Sequence, residues 1–276
     1  MCRWLAYTGT PIVLETLLLE RDRSLIDQSL HSRLGATTTN GDGFGMGWYE
    51  PGEPPRVYRS THPAWNDRNL RELAAGISSP LFFAHIRAST GTAIQETNTH
   101  PFRYGNRLWM HNGLIREFAQ MKRDLVLAVD PALYPSIEGT TDSEVMFFLA
   151  LTFGLEDEPI EAVERMVGFV ERTGRDHGVE HPLQMTVATT DGQSIWAFRY
   201  SSERDSRSLF FSTRMDALKA LHPEVVELGL LSDETRAVVS EPLGDLEGAW
   251  NEVPESHVGI VQPGSDELRP FTPREA

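Results

Sequence analysis

Short apolar runs separated by polar, Gly-rich segments fill the first 115 residues, and they read as strands rather than helices. Residues 3–8 form one such run, followed by an apolar stretch from Ile12 to Leu19. Residues 40–47 (NGDGFGMG) read as a Gly-rich turn that opens into an aromatic strand at Trp48 and Tyr49, and residues 50–56 (EPGEPPR) as a hairpin-like loop. Residues 81–88 and 107–111 read as buried strands, each ending in polar residues and Gly. The middle of the chain changes period. Thr141-Asp142-Ser143-Glu144 fits the S/T-x-x-E capping box and opens a helix to about Phe153. Pro159 starts a second helix, with Ile160, Val163, Val167 and Val170 at helical spacing. Strand patterns return at 184–190 and 193–200, flanking the hairpin signal Asp191-Gly192, and again at 208–213, 236–240 and 257–262. Strands early, helices in the middle and strands late predict an α+β protein of layered sheets and helices. No segment reads as a linker, so residues 1–276 are expected to form one domain.

Composition narrows the function classes. Hydrophobic residues make up 40% of the 276, enough for a large core. Lys+Arg 25 against Asp+Glu 40 gives a net charge of -15, which argues against nucleic acid and anionic membranes as partners. No run reaches the ~18 apolar residues of a membrane span, and Arg3, Glu15, Glu20 and Arg21 interrupt any signal-peptide core, so a cytoplasmic protein is expected. A single cysteine allows no internal disulfide. The Gly-rich run fails the dinucleotide fingerprint: counted from Gly41 the last glycine is Met46, and from Gly43 it is Trp48. No phosphate loop is present, and the spacing of His85, His100 and His111 fits no compact metal motif. Neither a cofactor nor a metal is expected.

Cys2 carries the first chemical signal. A free cysteine is usually a small buried hydrophobe. This one follows the initiator Met, where its small side chain permits Met removal and leaves an α-amine beside the thiol. Reference pKa values of about 8.5 and about 7.7–8.0 make proton transfer between the two nearly thermoneutral, so the residue would carry its own base. His111-Asn112-Gly113 follows an apolar strand. It is either an Asn-Gly turn or an oxyanion hole, with the Asn112 amide and the Gly113 N–H as donors. Arg87, at the end of another strand, is either a surface charge or a carboxylate clamp. Asp142 is either a helix N-terminal charge or the partner of a substrate ammonium. Arg87 and Asp142 together could read both ends of an amino acid.

Taken in order, Met1-Cys2-Arg3, the segment from Asn40 to Tyr49, His85-Ile86-Arg87-Ala88-Ser89-Thr90, Asn98-Thr99-His100-Pro101-Phe102, His111-Asn112-Gly113 and Thr141-Asp142-Ser143-Glu144 resemble the class II, N-terminal-nucleophile glutamine amidotransferases. The resemblance covers about the first 150 residues. It implies an α+β fold of four αββα layers, Cys2 as nucleophile with its α-amine as base, and Asn112 with Gly113 as the oxyanion hole. It further implies Arg87 and Asp142 as the holders of the α-carboxylate and α-amine, with Thr90 lining the glutamine pocket. Synthase-fused members carry a second domain after some 200 residues. This chain ends at Ala276, so it resembles the stand-alone members, including γ-glutamyl hydrolases of ergothioneine biosynthesis and glutathione breakdown. Glutamine, with ammonia passed to a separate synthase or acceptor protein, and a γ-glutamyl peptide or amide are the expected substrates. The alternative is a degenerate member that binds such ligands or a partner protein without turnover.

Overall fold

The computed structural model describes residues 2–20, 23–31, 39–89 and 91–275. Two antiparallel sheets make its centre. The first contains β1 (Arg3–Val13), β2 (Phe44–Trp48), β3 (Arg56–Ser60) and β4 (Ser78–Ile86). The second contains β5 (Phe102–Tyr104), β6 (Arg107–Ile115), β7 (Leu183–Thr190) and β8 (Ile195–Ser201). The chain then returns to the first sheet with β9 (Phe210–Ser212), β10 (Arg236–Val239) and β11 (Trp250–Glu252), and closes the second with β12 (His257–Gln262) and β13 (Ser265–Pro270). Strand orders are β11-β9-β10-β1-β4-β2-β3 and β13-β12-β8-β7-β6-β5.

Period-two alternation sorts the side chains into layers. Trp4, Ala6, Leu81 and Phe83 of the first sheet pack with Leu108, Met110, Ala188 and Ala197 of the second, which forms the core between the sheets. The opposite face of the first sheet, with Leu5, Tyr7, Phe82 and Ala84, is covered by α1 (Glu15–Leu18), α2 (Leu25–Leu30) and α3 (Arg68–Gly76). The opposite face of the second, with Trp109, Met185 and Val187, is covered by α4 (Phe118–Leu127), α5 (Asp142–Thr152) and α6 (Pro159–Asp176). A seventh helix, α7 (Met215–Leu221), builds a small satellite cluster with Ala249. The fold is a four-layer αββα sandwich. No helix among the described residues is long and apolar enough to cross a membrane.

Two expectations need correction. The Gly-rich run from 40 to 47 is not a turn that precedes a strand, since β2 itself runs from Phe44 to Trp48. A Cβ at Gly45 would overlap His100 O, so this strand is glycine-rich because the segment leading into the second sheet crosses directly over it. The capping box at Thr141 is half formed. Thr141 Oγ1 accepts from Glu144 N–H at 3.2 Å, but the Glu144 carboxylate accepts from Glu138 N–H (2.9 Å) and Gly139 N–H (2.7 Å) instead of returning to Thr141. Glu144 thereby fixes the loop ahead of the helix as well as its first turn.

Candidate active site

Cys2 lies at the mouth of β1, and continuing the alternation of Trp4 and Ala6 places it on the inter-sheet side. Its position is fixed from three directions. The Arg3 guanidinium donates Nη1–H to Cys2 O at 2.9 Å and Nε–H to Glu241 at 2.9 Å, with both side chains of that ion pair 2% exposed or less. The Asn112 amide donates Nδ2–H to the same Cys2 carbonyl at 3.0 Å. Trp4 N–H donates to Ser240 Oγ at 3.0 Å, which anchors the second residue after Cys2 to the segment just past β10. Cys2 is therefore held at the head of β1 by hydrogen bonds on its carbonyl and on the strand that follows.

The thiol faces the segment that leaves β4. Ala88 N–H donates to Cys2 Sγ at 3.3 Å. Burial pushes the Cys2 thiol above its ordinary value, opposed by that N–H and by the charges of Arg87 and Arg207. Arg207, from the connection between β8 and β9, is a cation near the thiol that the motif reading missed, since it belongs to none of the quoted segments.

Arg87 continues the strand pairing past Ile86: its N–H donates to Gly43 O at 2.8 Å, and Asp42 N–H donates to Arg87 O at 3.1 Å. Its guanidinium holds the following loop, with Nη2 donating to Thr92 Oγ1 (2.7 Å) and Ala93 O (3.0 Å). Asp42 adds a bond from Ser89 N–H at 2.7 Å. Buried Asn98 ties this loop to the α5 entrance, because Nδ2 donates to Ala93 O at 3.0 Å while Oδ1 accepts from Thr140 N–H at 2.8 Å. Asn98 and Asp42 were within the quoted motifs, but no spacing rule distinguished them as loop fasteners. Thr90 lies outside the described residues.

On the facing sheet, Asn112 and Gly113 are strand residues of β6 rather than a turn. Gly113 has φ +136°, and a Cβ there would overlap Gln184 O, so only glycine fits. Asp142 opens α5 and accepts from Ile115 N–H (2.8 Å) and Ser143 N–H (2.7 Å), which fastens the helix to the end of β6. Ser143 Oγ meets His111 Nδ1 at 2.8 Å. Cys2 and Asn112 are thus in direct contact, and Arg87 is within electrostatic reach of the thiol. Asp142 is joined to Asn112 and Gly113 through their own strand.

A four-layer αββα sandwich with a thiol at the head of a central strand defines the N-terminal-nucleophile type of amidohydrolase fold. Comparison with known proteins narrows the class. The family described as "Glutamine amidotransferases class-II" matches residues 19–269. "Probable glutamine amidotransferase DUG3" of Saccharomyces cerevisiae is 32% identical over 98% of this chain and 84% of its own length. The "Gamma-glutamyl-hercynylcysteine sulfoxide hydrolase" of Mycolicibacterium smegmatis is 27% identical over 95% of this chain and 96% of its own. A glutamine aminotransferase class-II domain protein from Silicibacter pomeroyi superposes with a TM-score of 0.74 at 30% identity, covering 99% of this chain and 100% of that one. Glutamine phosphoribosylpyrophosphate amidotransferase from B. subtilis shares the fold at 14% identity, with a TM-score of 0.66 over half its length. The chain belongs to the class II glutamine amidotransferase family, whose reaction is cleavage of a carboxamide C–N bond.

Proposed function

We propose that this protein is a γ-glutamyl amidohydrolase in which Cys2, freed by removal of Met1, attacks the γ-carbonyl of glutamine or of a γ-glutamyl peptide. The observation that carries the reading is the contact of Cys2 with both sheets at once. Its thiol accepts from Ala88 N–H at 3.3 Å, and its carbonyl accepts from Asn112 Nδ2–H at 3.0 Å. The α-amine takes the thiol proton, and the thiolate forms a C–S bond at the γ-carbon. The negative charge that develops on the carbonyl oxygen falls to Asn112 Nδ2–H and Gly113 N–H, each such donor being worth about 3–4 kcal/mol. The C–N bond then breaks, and the α-ammonium returns its proton to the departing nitrogen. Water hydrolyses the resulting thioester to release glutamate. Arg87 binds the substrate α-carboxylate and Asp142 the α-ammonium, while Thr90 lines the pocket.

The match to a γ-glutamyl hydrolase over 95% of this chain and 96% of that relative supports including γ-glutamyl amides beside glutamine as substrates. The test is glutamate release by protein whose mass shows loss of Met1, measured on glutamine and on a panel of γ-glutamyl peptides, with Cys2→Ala alongside. Turnover is expected in the parent and absent from Cys2→Ala. Equal turnover in both removes Cys2 from the mechanism, and tight binding of these compounds with no glutamate from either marks a non-catalytic binder.

A further inference from the structure

Three buried imidazoles, those of His85, His100 and His111, lie around the proposed oxyanion donor, and the chemistry above uses none of them. His85 sits on β4 directly opposite Trp4 of β1, on the same inter-sheet side as Leu81 and Phe83. Asn112 follows Leu108 and Met110 on the facing side of β6. The two side chains meet between the sheets, where the His85 ring abuts the Asn112 amide and the His111 carbonyl. On its other side the ring stacks on His100 with centroids 4.3 Å apart, and His100 packs in turn on Phe102 at 4.5 Å. His85 is 1% exposed and Asn112 2%. Both ring nitrogens of His85 and the Oδ1 of Asn112 make no hydrogen bond of good geometry. An unsatisfied donor and an unsatisfied acceptor, buried against each other, are each other's natural partner.

The orientation of the Asn112 amide is a chemical choice. With Nδ2 toward Cys2 the group is a donor; turned over, it would present Oδ1 to a developing oxyanion and repel it. Among the described residues, one bond, from Nδ2 to Cys2 O, holds the amide in its observed sense. That carbonyl is shared with the Arg3 guanidinium, and it engages only the Nδ2 end of the amide, which leaves Oδ1 without a partner to match. We propose that His85 is a positioning residue, whose ring N–H donates to Asn112 Oδ1 and so fixes the Nδ2 end of the amide toward the reacting carbonyl. The His100 ring beneath it sets the plane of His85, and the neutral ring supplies one donor without adding a second charge beside the thiol. This rests on the reading of Asn112 as an oxyanion donor.

The experiment is a double-mutant cycle with a chemical control. Asn112→Ala is expected to lower kcat for γ-glutamyl hydrolysis by roughly 100- to 1,000-fold. His85→Phe keeps the ring that stacks on His100 but has no donor, and is expected to lower kcat by about 10- to 100-fold with KM little changed. In the Asn112→Ala background His85→Phe should change kcat by less than about 3-fold, because there is no amide left to orient. His85→Gln, which keeps an N–H donor, should recover at least about 5-fold over His85→Leu, and this pair serves if the Phe variant does not fold. Alkylation of Cys2 by iodoacetamide passes through no oxyanion, so its rate should stay within about 3-fold of the parent in His85→Phe. The proposal is overturned if the two losses add, if Gln and Leu give equal turnover, or if alkylation falls in step with hydrolysis. Full activity in Asn112→Ala would instead remove the oxyanion reading beneath it.

Discussion

The buried ion pair behind Cys2 offers a perturbation whose effects on stability and on chemistry can be separated. Arg3 and Glu241 meet at 2.9 Å with exposures of 2% and 1%, and Glu241 also faces Arg23 at 3.8 Å, beyond hydrogen-bonding range. In Arg3→Met the carboxylate stays buried without its 2.9 Å partner, a change that typically costs about 3–5 kcal/mol. At about 2 °C per kcal/mol for a domain of this size, the midpoint of thermal unfolding should drop by roughly 6–10 °C. Arg3 also supplies one of the two donors on Cys2 O. Its loss lets Cys2 shift, and with Cys2 as the proposed nucleophile a displacement of about 1 Å can lower turnover by ~100-fold. Replacing both partners, as Arg3→Met with Glu241→Leu, removes the buried carboxylate together with its 2.9 Å partner and should bring stability back to within about 1–2 kcal/mol of the parent. Activity should not return with it, because Cys2 O still lacks the Arg3 donor. Denaturant unfolding followed by tryptophan fluorescence, with glutamate release on the same samples, reads both quantities. A loss under about 1 kcal/mol in Arg3→Met, or full recovery of turnover in the double variant, would refute the argument.

Two further outcomes follow from the same packing. Asn98→Ala cuts the link between the loop after Arg87 and the α5 entrance, removing both the donor to Ala93 O and the acceptor of Thr140 N–H. It should raise KM for γ-glutamyl substrates by about 10-fold with a smaller effect on kcat, and steady-state kinetics that show the reverse split would contradict it. Burial holds His85 at about 3, and pushes His100 and His111 below their ordinary value as well. The unfolded chain therefore takes up protons first, so stability present above about pH 6.5 should be lost as the pH falls, by up to about 1.4 kcal/mol per pH unit for each such histidine. The window from pH 6.5 to 5 lies above most carboxylate titration, and His222, shifted upward chiefly by its bond to the Glu247 carbonyl, opposes the trend only in part. Denaturant midpoints that stay flat across that window would count against the neutral histidine stack.

What the sequence made legible was whatever depends on local chemistry. Asp191-Gly192 gave the β7–β8 hairpin, and its carboxylate caps the turn by accepting from Gln193 N–H and Ser194 N–H. The apolar run at 257–262 is β12 with the same limits, and Pro159 begins α6. Where the outcome turned on a neighbour far along the chain, the pattern misled or fell silent. Glycines read as a turn because local propensity says so, yet β2 needs them to let His100 and its neighbours pass. Helix α3 went unassigned: its cover of the first sheet rests on Leu70 and Ala74 alone as fully buried apolar residues, too few to impose a period by eye.

The site divides along the same line. Its candidate reactive atoms sit on motifs that order and spacing reveal, but the contacts that orient them are not marked by either. Glu241, 238 residues from Arg3, fixes the guanidinium that holds Cys2 O. Asn98, 42 residues from Thr140, closes the loop. His85, on a different sheet from Asn112, faces the amide it would orient. The motif strings contain two of these three residues without any mark of their task, because a supporting hydrogen bond depends on which strands the fold places side by side. Chemistry that one residue can carry is visible in one dimension; the geometry that makes it selective is not.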